Sequence, residues 1–184
     1  MLNNNQYSYI LVYKPKNFIS TTKQLPLNKS LFNILQIKDN TLTTVGRLDY
    51  DTEGALLVTN DKLLAGKLTD PSSFIPKIYE IKIKNIPSRS NLLKIHKGIY
   101  LEEGCSRSCY IEPISTTSSN TWIRIILTQG KNRQIKRIFW KINHPTLRII
   151  RTHFGNLSIA GLKPGEYKTL SLNEIKDLYS ITPH

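Results

Sequence analysis

The 184-residue chain contains few cysteines and no long apolar run. Its two cysteines, Cys105 and Cys109, have neither the number nor the spacing of a disulfide framework or a zinc site. No apolar stretch approaches the roughly 20 residues that a membrane-spanning helix requires. The first nine residues also lack the charged and apolar segments of a signal peptide. We therefore expect a reduced cytoplasmic protein with no membrane partner.

Sequence signatures for cofactors are missing as well. The chain has no P-loop and no dinucleotide-binding fingerprint. Three of its four histidines, His96, His144 and His153, are dispersed without a second ligand at metal-binding spacing, and the fourth is the last residue. These patterns predict that the protein uses neither a cofactor nor a metal ion.

Acidic residues are scarce relative to basic ones. The chain has 26 Lys and Arg against 13 Asp and Glu, which gives a formal net charge of +13. Such an excess favours a polyanionic partner such as nucleic acid. A basic background from an AT-rich genome is the alternative, because Asn, Ile and Lys are all abundant.

Hydrophobic patterning predicts an α+β fold in one domain spanning residues 1–184. Residues 77–84 alternate strictly between apolar and polar, as a half-buried strand does. Strands outnumber helices, and the short connections indicate hairpins. The predicted strands are 8–13, 55–59, 77–84, 107–111, 122–128, 147–151 and 157–159, and the predicted helices are 30–35, 62–68, 88–97, 132–142 and 173–179.

A dense group of charges precedes the strand at 55–59. Arg47, Asp49, Asp51 and Glu53 occur within seven residues, directly before an apolar run. Asp49 is the first candidate for a reactive carboxylate, since an extended backbone would place it on the same side as Arg47. A neighbouring cation keeps a carboxylate charged and oriented. On spacing alone, a loop salt bridge without chemistry remains the alternative.

A second group of charges surrounds the start of the helix at 132–142. Gly130 permits a sharp turn, and Lys131 then lies at the helix start, where the macrodipole disfavours a cation. A carboxylate or a phosphate opposite Lys131 would explain it. One side of this helix is apolar and the other is basic, and a solvated amphipathic helix is the alternative interpretation. The apolar residues are Ile135, Ile138, Phe139 and Ile142, and the basic residues are Arg133, Lys136, Arg137 and Lys141.

Four motifs occur in an order that resembles one enzyme family. They are Lys-Pro at 14–15, Gly-Arg-Leu-Asp at 46–49 with Thr-Glu-Gly at 52–54 and Thr-Asn-Asp at 59–61, Lys-Ile-Tyr at 77–79, and Gly-Lys-Asn-Arg-Gln-Ile-Lys-Arg at 130–137. Over nearly the whole chain, the sequence resembles bacterial ribosomal RNA pseudouridine synthases of the RsuA/RluE group. The resemblance implies a pseudouridine synthase fold, which is a bent, mainly antiparallel mixed sheet with flanking helices and a central basic cleft.

The resemblance also implies an activity. The expected reaction is the isomerisation of uridine to pseudouridine in ribosomal RNA, with 23S rRNA of the large subunit, free or in an assembling particle, as the substrate. The family's aspartate attacks C1′, assists glycal formation through C2′, or, in an older proposal, adds to C6. All three routes remain open. The resemblance implies neither cofactor nor metal, and the target uridine must flip out of its stack. We expect the protein to be a monomer.

Roles carried over from the family fall on matching residues of this chain. Asp49 is the implied nucleophile, Tyr79 stacks on the base and helps to remove the C5 proton, Lys131 is the cation paired with Asp49, and Arg47 supports the loop. Without the resemblance, Tyr79 would be interpreted as an ordinary core tyrosine. A late apolar position against the active site matches Leu170. The expected RNA contacts are Lys14, Arg133, Gln134, Lys136, Arg137 and Lys141.

Two departures from the family pattern stand out. Many relatives carry an N-terminal S4 domain of about sixty residues, a length for which the residues before Gly46 leave no room, so we expect a short member without that domain. Gln129 stands where the family often has Glu, which puts a local ion pair in doubt. An alternative function is a catalytically silent RNA-binding or ribosome-assembly factor, against which the intact Asp49, Tyr79 and Lys131 set argues.

Overall fold

The structure is a computed structural model that describes residues 7–23, 29–36 and 39–182. Within these residues, the strands are β1 (Tyr9–Lys14), β2 (Thr43–Thr44), β3 (Glu53–Thr59), β4 (Lys77–Lys84), β5 (Tyr100–Leu101), β6 (Gly104–Cys105), β7 (Tyr110–Thr116), β8 (Asn120–Leu127), β9 (Thr146–Phe154), β10 (Leu157–Ser158) and β11 (Tyr167–Thr169). The helices are α1 (Leu31–Leu35), α2 (Lys62–Thr69), α3 (Arg89–Lys97), α4 (Gln134–Lys141) and α5 (Leu172–Ser180), with a 3₁₀ turn at Pro71–Ser73. None of the helices in the described part of the chain is long and apolar enough to cross a membrane.

One mixed sheet forms the centre of the described structure, in the order β11-β1-β3-β9-β4-β8-β7. Strand β10 pairs with β9, and β2 pairs with β3. Every pairing in the sheet is antiparallel except that of β3 with β9. The prediction of an α+β fold on a mainly antiparallel sheet is therefore confirmed.

Alternation along the central strands sends side chains into two separate cores. Leu56 and Val58 of β3 join a core that α1, α3 and α4 cover, whereas Ala55 and Leu57 join a core that α2 and α5 cover. On β4, Tyr79 enters the first core, as the alternation predicted, together with Ile81 and Ile83. The sheet is thus buried on both faces at β3, where the charged loop begins.

The opposite face of β4 and β8 carries charge instead of a core. Arg124 of β8 pairs with Glu80 at 3.3 Å and with Glu112 of β7 at 3.0 Å. This solvated face explains why the predicted hairpin had the wrong bounds. Residues 112–116 lie beyond the predicted strand and show no apolar alternation, yet they belong to the outer strand because one face of β7 needs no apolar side chains.

Strands β3 and β9 approach each other unusually closely at Gly54. A Cβ on Gly54 would lie 2.2 Å from the carbonyl oxygen of Arg151, and the φ of Gly54 is +112°. Only glycine fits this position. A register shift between β4 and β9 occurs beside the same point, where Tyr79 pairs with Arg151. Bulges of this kind redirect side chains next to functional sites.

Candidate active site

A cavity of about 190 Å³ lies where the charged loop, the sheet and the start of α4 meet. Asp49 and Arg47 of the loop, Tyr79 of β4, and Lys131 and Lys136 from the α4 region all line it. The four residues predicted to be catalytic, Arg47, Asp49, Tyr79 and Lys131, are therefore brought together from three separate segments of the chain.

The loop that carries Asp49 is fixed by hydrogen bonds from behind. Ser20 Oγ donates to the Leu48 carbonyl at 2.7 Å and accepts from the Leu48 N–H at 3.0 Å. The Thr52 N–H donates to the Asp49 carbonyl at 3.0 Å, which closes a tight turn. These bonds hold the backbone on both sides of Asp49 and leave its side chain, 36% exposed, at the cavity.

Lys14 supports this loop and lies away from the surface, which contradicts the predicted RNA contact. Its side chain is completely buried, and Nζ donates to the carbonyl oxygens of Pro15 (3.0 Å), Phe18 (2.8 Å) and Tyr50 (3.4 Å). Burial lowers the pKa of Lys14 to about 8, even though the nearby carboxylates oppose that change. A lysine enclosed by backbone carbonyls cannot reach an RNA phosphate.

Glu53 anchors the other end of the loop. Both of its carboxylate oxygens accept hydrogen bonds from Arg148 of β9, from Nε at 2.8 Å and from Nη2 at 2.8 Å. The Glu53 side chain is only 7% exposed, and a bidentate pair of this geometry is among the stronger protein ion pairs. Glu53 therefore belongs to the support of the loop.

The cation beside Asp49 is Lys136. Its Nζ lies 3.6 Å from Asp49 Oδ2 and also forms a hydrogen bond with Asp51. Burial raises the pKa of Asp51, but the Lys136 hydrogen bond and charge outweigh this effect, so that the pKa falls below its ordinary value. Lys136 was predicted to contact RNA, whereas the structure directs it towards the loop.

Lys131 points elsewhere, and the expected Lys131–Asp49 pair is wrong for this structure. Its Nζ contacts the carbonyl oxygen of Glu103 at 3.4 Å. Glu103 sits between β5 and β6, in a small hairpin that reaches the start of α4. The position of the helix start explains why Lys136 takes this place: Lys136 lies in the first turn of α4 and faces the loop, whereas Lys131 precedes the helix.

The predicted basic face of α4 is divided between internal and exposed residues. Arg137 donates to both carboxylate oxygens of Glu103 and to the Asn132 carbonyl, and this pairing raises its pKa. Gln134 is 3% exposed and its side-chain oxygen accepts from the Lys131 N–H at 3.1 Å, so that it closes the loop and lines the cavity instead of the outer face of the helix. Arg133 and Lys141 are exposed as expected.

Tyr79 and Arg47 meet the cavity in different ways. Tyr79 is 7% exposed and packs in the first core while lining the cavity. Arg47 is exposed, and within the described residues its guanidinium forms no hydrogen bond or ion pair, including with Asp49. Leu170 does not line the cavity; it is buried in the second core, and the cavity wall holds Ile149 and Leu127 instead.

Sequence reasoning assigned no role at the site to a group of residues on the other side of the cavity. Arg151 and Phe154 of β9, Lys77 of β4 and Gln129 all line it. Two signals were present in the sequence: an arginine directly after the apolar pair Ile149 and Ile150, and a lysine two positions before Tyr79 on the same face. No group of three or more His, Cys, Asp or Glu residues in the described ranges is placed to hold a metal ion.

Comparison with known proteins gives consistent results. A family model described as RNA pseudouridylate synthase matches residues 8–141. The chain is 34% identical over 178 residues to the "Ribosomal large subunit pseudouridine synthase B" of Bacillus subtilis, covering 96% of this chain and 73% of that protein. It is 32% identical over 177 residues to the "Ribosomal large subunit pseudouridine synthase E" of Vibrio parahaemolyticus, covering 89% and 74% respectively.

A solved structure shares the fold. The "Crystal structure of pseudouridylate synthase" superposes with a TM-score of 0.79 at 23% sequence identity, covering 94% of this chain and 74% of that one. At this identity the likeness concerns the fold alone.

Proposed function

This chain belongs to the RNA pseudouridylate synthase family, and on that premise we propose that it isomerises a uridine of large-subunit ribosomal RNA with Asp49 as the reactive carboxylate. The observation that carries the proposal is the arrangement at the cavity. Asp49 lies on a loop fixed from behind, 3.6 Å from the Lys136 ammonium, and shares the cavity with Tyr79.

The proposed reaction moves one glycosidic bond and one proton. The bond between N1 and C1′ of the uridine breaks, the uracil turns, and a bond forms between C5 and C1′. C5 loses its proton and N1 carries one in the product, so the atoms balance without an oxidant, a reductant or water. Residues only need to hold charge, orient the base and move a proton.

Each residue at the cavity has a role that suits its surroundings. Asp49 acts on the ribose or the base by one of the three routes, and Lys136 orients its carboxylate. The Tyr79 ring stacks on the detached uracil, and its hydroxyl helps to transfer the C5 proton. Arg47, exposed at the rim without a described partner, contacts the RNA strand as the uridine flips out. Lys131 remains a secondary candidate, held near the cavity by Glu103.

The substrate proposal rests on the two relatives and on charge. Both relatives are named for the ribosomal large subunit. The net charge of +13 suits a phosphate backbone, with Arg133 and Lys141 as exposed contacts on α4. We further propose that the protein is a monomer with a single catalytic domain. Its substrate is large-subunit rRNA, free or in an assembling particle, and it acts in the bacterial cytoplasm where that RNA is made.

Mapping pseudouridines tests this function. Ribosomal RNA from cells with and without the gene would be compared, with complementation by the wild type or by Asp49→Asn. We expect one or more pseudouridines to disappear on deletion and to return only with the wild type, while Asp49→Asn protein still binds the RNA. Identical pseudouridine maps with and without the gene would refute the function.

A further inference from the structure

One side of the cavity holds buried positive charge that no acid balances. Arg151 is 3% exposed, and its Nε donates to the Ala55 carbonyl at 2.7 Å. Its Nη2 is buried without a hydrogen-bond partner, and Arg151 forms no ion pair with any residue that the structure describes. The Asp49 side is different, because there Lys136 meets two carboxylates.

A second cation, Lys77, accompanies Arg151. Lys77 Nζ donates to the Ile75 carbonyl at 2.9 Å and lies 5.8 Å from the centre of the Phe154 ring, and the Arg151 guanidinium lies 5.1 Å from the same centre. Burial lowers the pKa of Lys77 to about 8, and the neighbouring charges that add to this effect, Arg151 and Arg107, are both positive. Arg151 and Lys77 together form the Arg151–Lys77 cluster.

Protein contacts alone do not account for this cluster. Burying an unpaired cation is costly, and contact with an aromatic ring offsets only part of that cost. The hydrogen bond to Ala55 uses only one edge of the guanidinium. Two uncompensated cations in a substrate cavity are explained if the substrate itself supplies the anion.

Two more buried donors belong to residues that line the same cavity. The side-chain nitrogen atoms of Gln129 and Gln134 are buried without hydrogen-bond partners, and both residues line it. Three of the four residues with such unpartnered atoms in the described ranges, Gln129, Gln134 and Arg151, therefore belong to one cavity. All three present N–H donors, so the missing ligand is rich in acceptor oxygens.

We propose that Arg151 and Lys77 form a subsite for a backbone phosphate of the RNA next to the target uridine. The identity of the ligand as RNA rests on the proposed function. Lys77 and Tyr79 lie two residues apart on one face of β4, which is about 7 Å along the strand. The phosphate at Lys77 would thereby fix the position of the uracil against Tyr79, and the guanidinium of Arg151 would hold two phosphate oxygens.

The first test measures the pKa of Lys77 by NMR, with inorganic phosphate as the probe. The lysine side-chain resonances would be titrated in phosphate and in chloride at equal ionic strength. We expect phosphate to raise the pKa of Lys77 from about 8 by about one unit or more, since a bound anion favours the ammonium form. Lys82, on the opposite face of β4, serves as the internal control. An unchanged Lys77 pKa overturns the proposal.

The second test asks which phosphate is bound. Uridine, uridine 5′-monophosphate and uridine 3′-monophosphate would be titrated into Asp49→Asn protein, so that no turnover interferes. We expect one of the two nucleotides to bind at least about tenfold more tightly than uridine, which identifies the phosphate on that side. No advantage for either nucleotide overturns the proposal.

Substitutions test whether the tighter binding of the nucleotide relative to uridine depends on the Arg151–Lys77 cluster. Lys77→Met should remove most of this advantage in affinity, and Lys82→Met should preserve it. Arg151→Gln is the second variant, used only if its NMR spectrum shows the native fold, because Arg151 is buried in the sheet. An advantage that survives Lys77→Met contradicts the subsite. Because Asp49→Asn protein is used, the result does not depend on whether the wild type makes pseudouridine.

Discussion

The Asp49 loop, residues 46–54, and helix α4 carry similar densities of charge, but they use it differently. In the loop, the most deeply buried charged residue, Glu53, is paired with Arg148, and the buried Lys14 supports the turn through hydrogen bonds to backbone carbonyls. Asp49 and Arg47 are left facing the cavity. On α4 and at its N-cap, two of the four basic residues, Lys136 and Arg137, are paired with acids, and Arg133 and Lys141 remain exposed.

This comparison shows that charged residues that look alike in the sequence serve different purposes in the structure: some fix the backbone, and others face the cavity or the solvent. A loop beside a buried strand needs internal ion pairs to keep one carboxylate in place. A surface helix needs none, so its pairs with Asp49, Asp51 and Glu103 indicate that α4 is part of the site and not only an RNA-binding surface. Substitutions can therefore separate residues that act on the RNA from neighbouring residues that only support the structure of the site.

The largest effect is expected for the two aspartates of the loop. Asp49→Asn should lower the single-turnover rate by more than roughly 10⁴-fold, the scale on which enzymes lose a nucleophile. Asp51→Asn should cost about tenfold or less, because Asp51 only shares Lys136. Both rates would be measured by release of tritium from RNA labelled at uridine C5. Comparable losses for the two variants would remove the distinction between them.

Gly54 tests whether the close approach of β3 and β9 supports the loop. Gly54→Ala should lower the free energy of unfolding by roughly 3 kcal/mol, since a Cβ would meet the Arg151 carbonyl at 2.2 Å and φ is +112°. Gly66→Ala is the matched control in α2, where a Cβ meets nothing within 4 Å, and it should add about 0.5–1 kcal/mol. Urea unfolding measures both, and a stable Gly54→Ala protein would contradict the steric argument.

Patterns in the sequence predicted the principal helices and strands, because the apolar residues of a long segment repeat with the period of its secondary structure. Strand 77–84 has the predicted bounds, and the apolar side of α4 is buried as expected. The strands β2, β5, β6 and β11 were not predicted, since two or three residues show no periodicity. The hairpin of β5 and β6 matters most among these, because it presents Glu103 to Lys131 and Arg137.

The sequence predicted which residues belong to the site but not how they pair within it. Family motifs named Asp49, Tyr79 and Lys131, and all three line the cavity. Which lysine faces Asp49 depends on where α4 begins, two residues later than predicted, and on the left-handed conformation of Arg133 before it. The Arg151–Lys77 cluster depends on a register shift between β4 and β9, which no local pattern records.

The next prediction concerns the lysine beside Asp49, which is Lys136 and not the expected Lys131. Lys136→Met should lower the single-turnover rate by about 10²-fold, the usual effect of losing one oriented charge at a reacting group, and Lys136→Arg should recover part of it. Lys131→Met should change the rate by only a few fold, because its ammonium contacts a backbone carbonyl. If Lys131→Met were the more damaging variant, the family-based assignment of Lys131 would be right after all.

The smallest effect separates the exposed and the paired arginines of α4. Arg133→Ala should weaken binding to large-subunit rRNA fragments by about 1 kcal/mol and reduce the slope of log affinity against log salt by about 0.7, because one phosphate contact is lost. The double variant Glu103→Gln/Arg137→Gln removes a pair of opposite charges and should leave that slope unchanged. Filter binding across a salt series measures both. A slope that falls equally in the double variant would mean that Arg137 leaves Glu103 for a phosphate when RNA binds, so that the paired half of α4 also contacts the substrate.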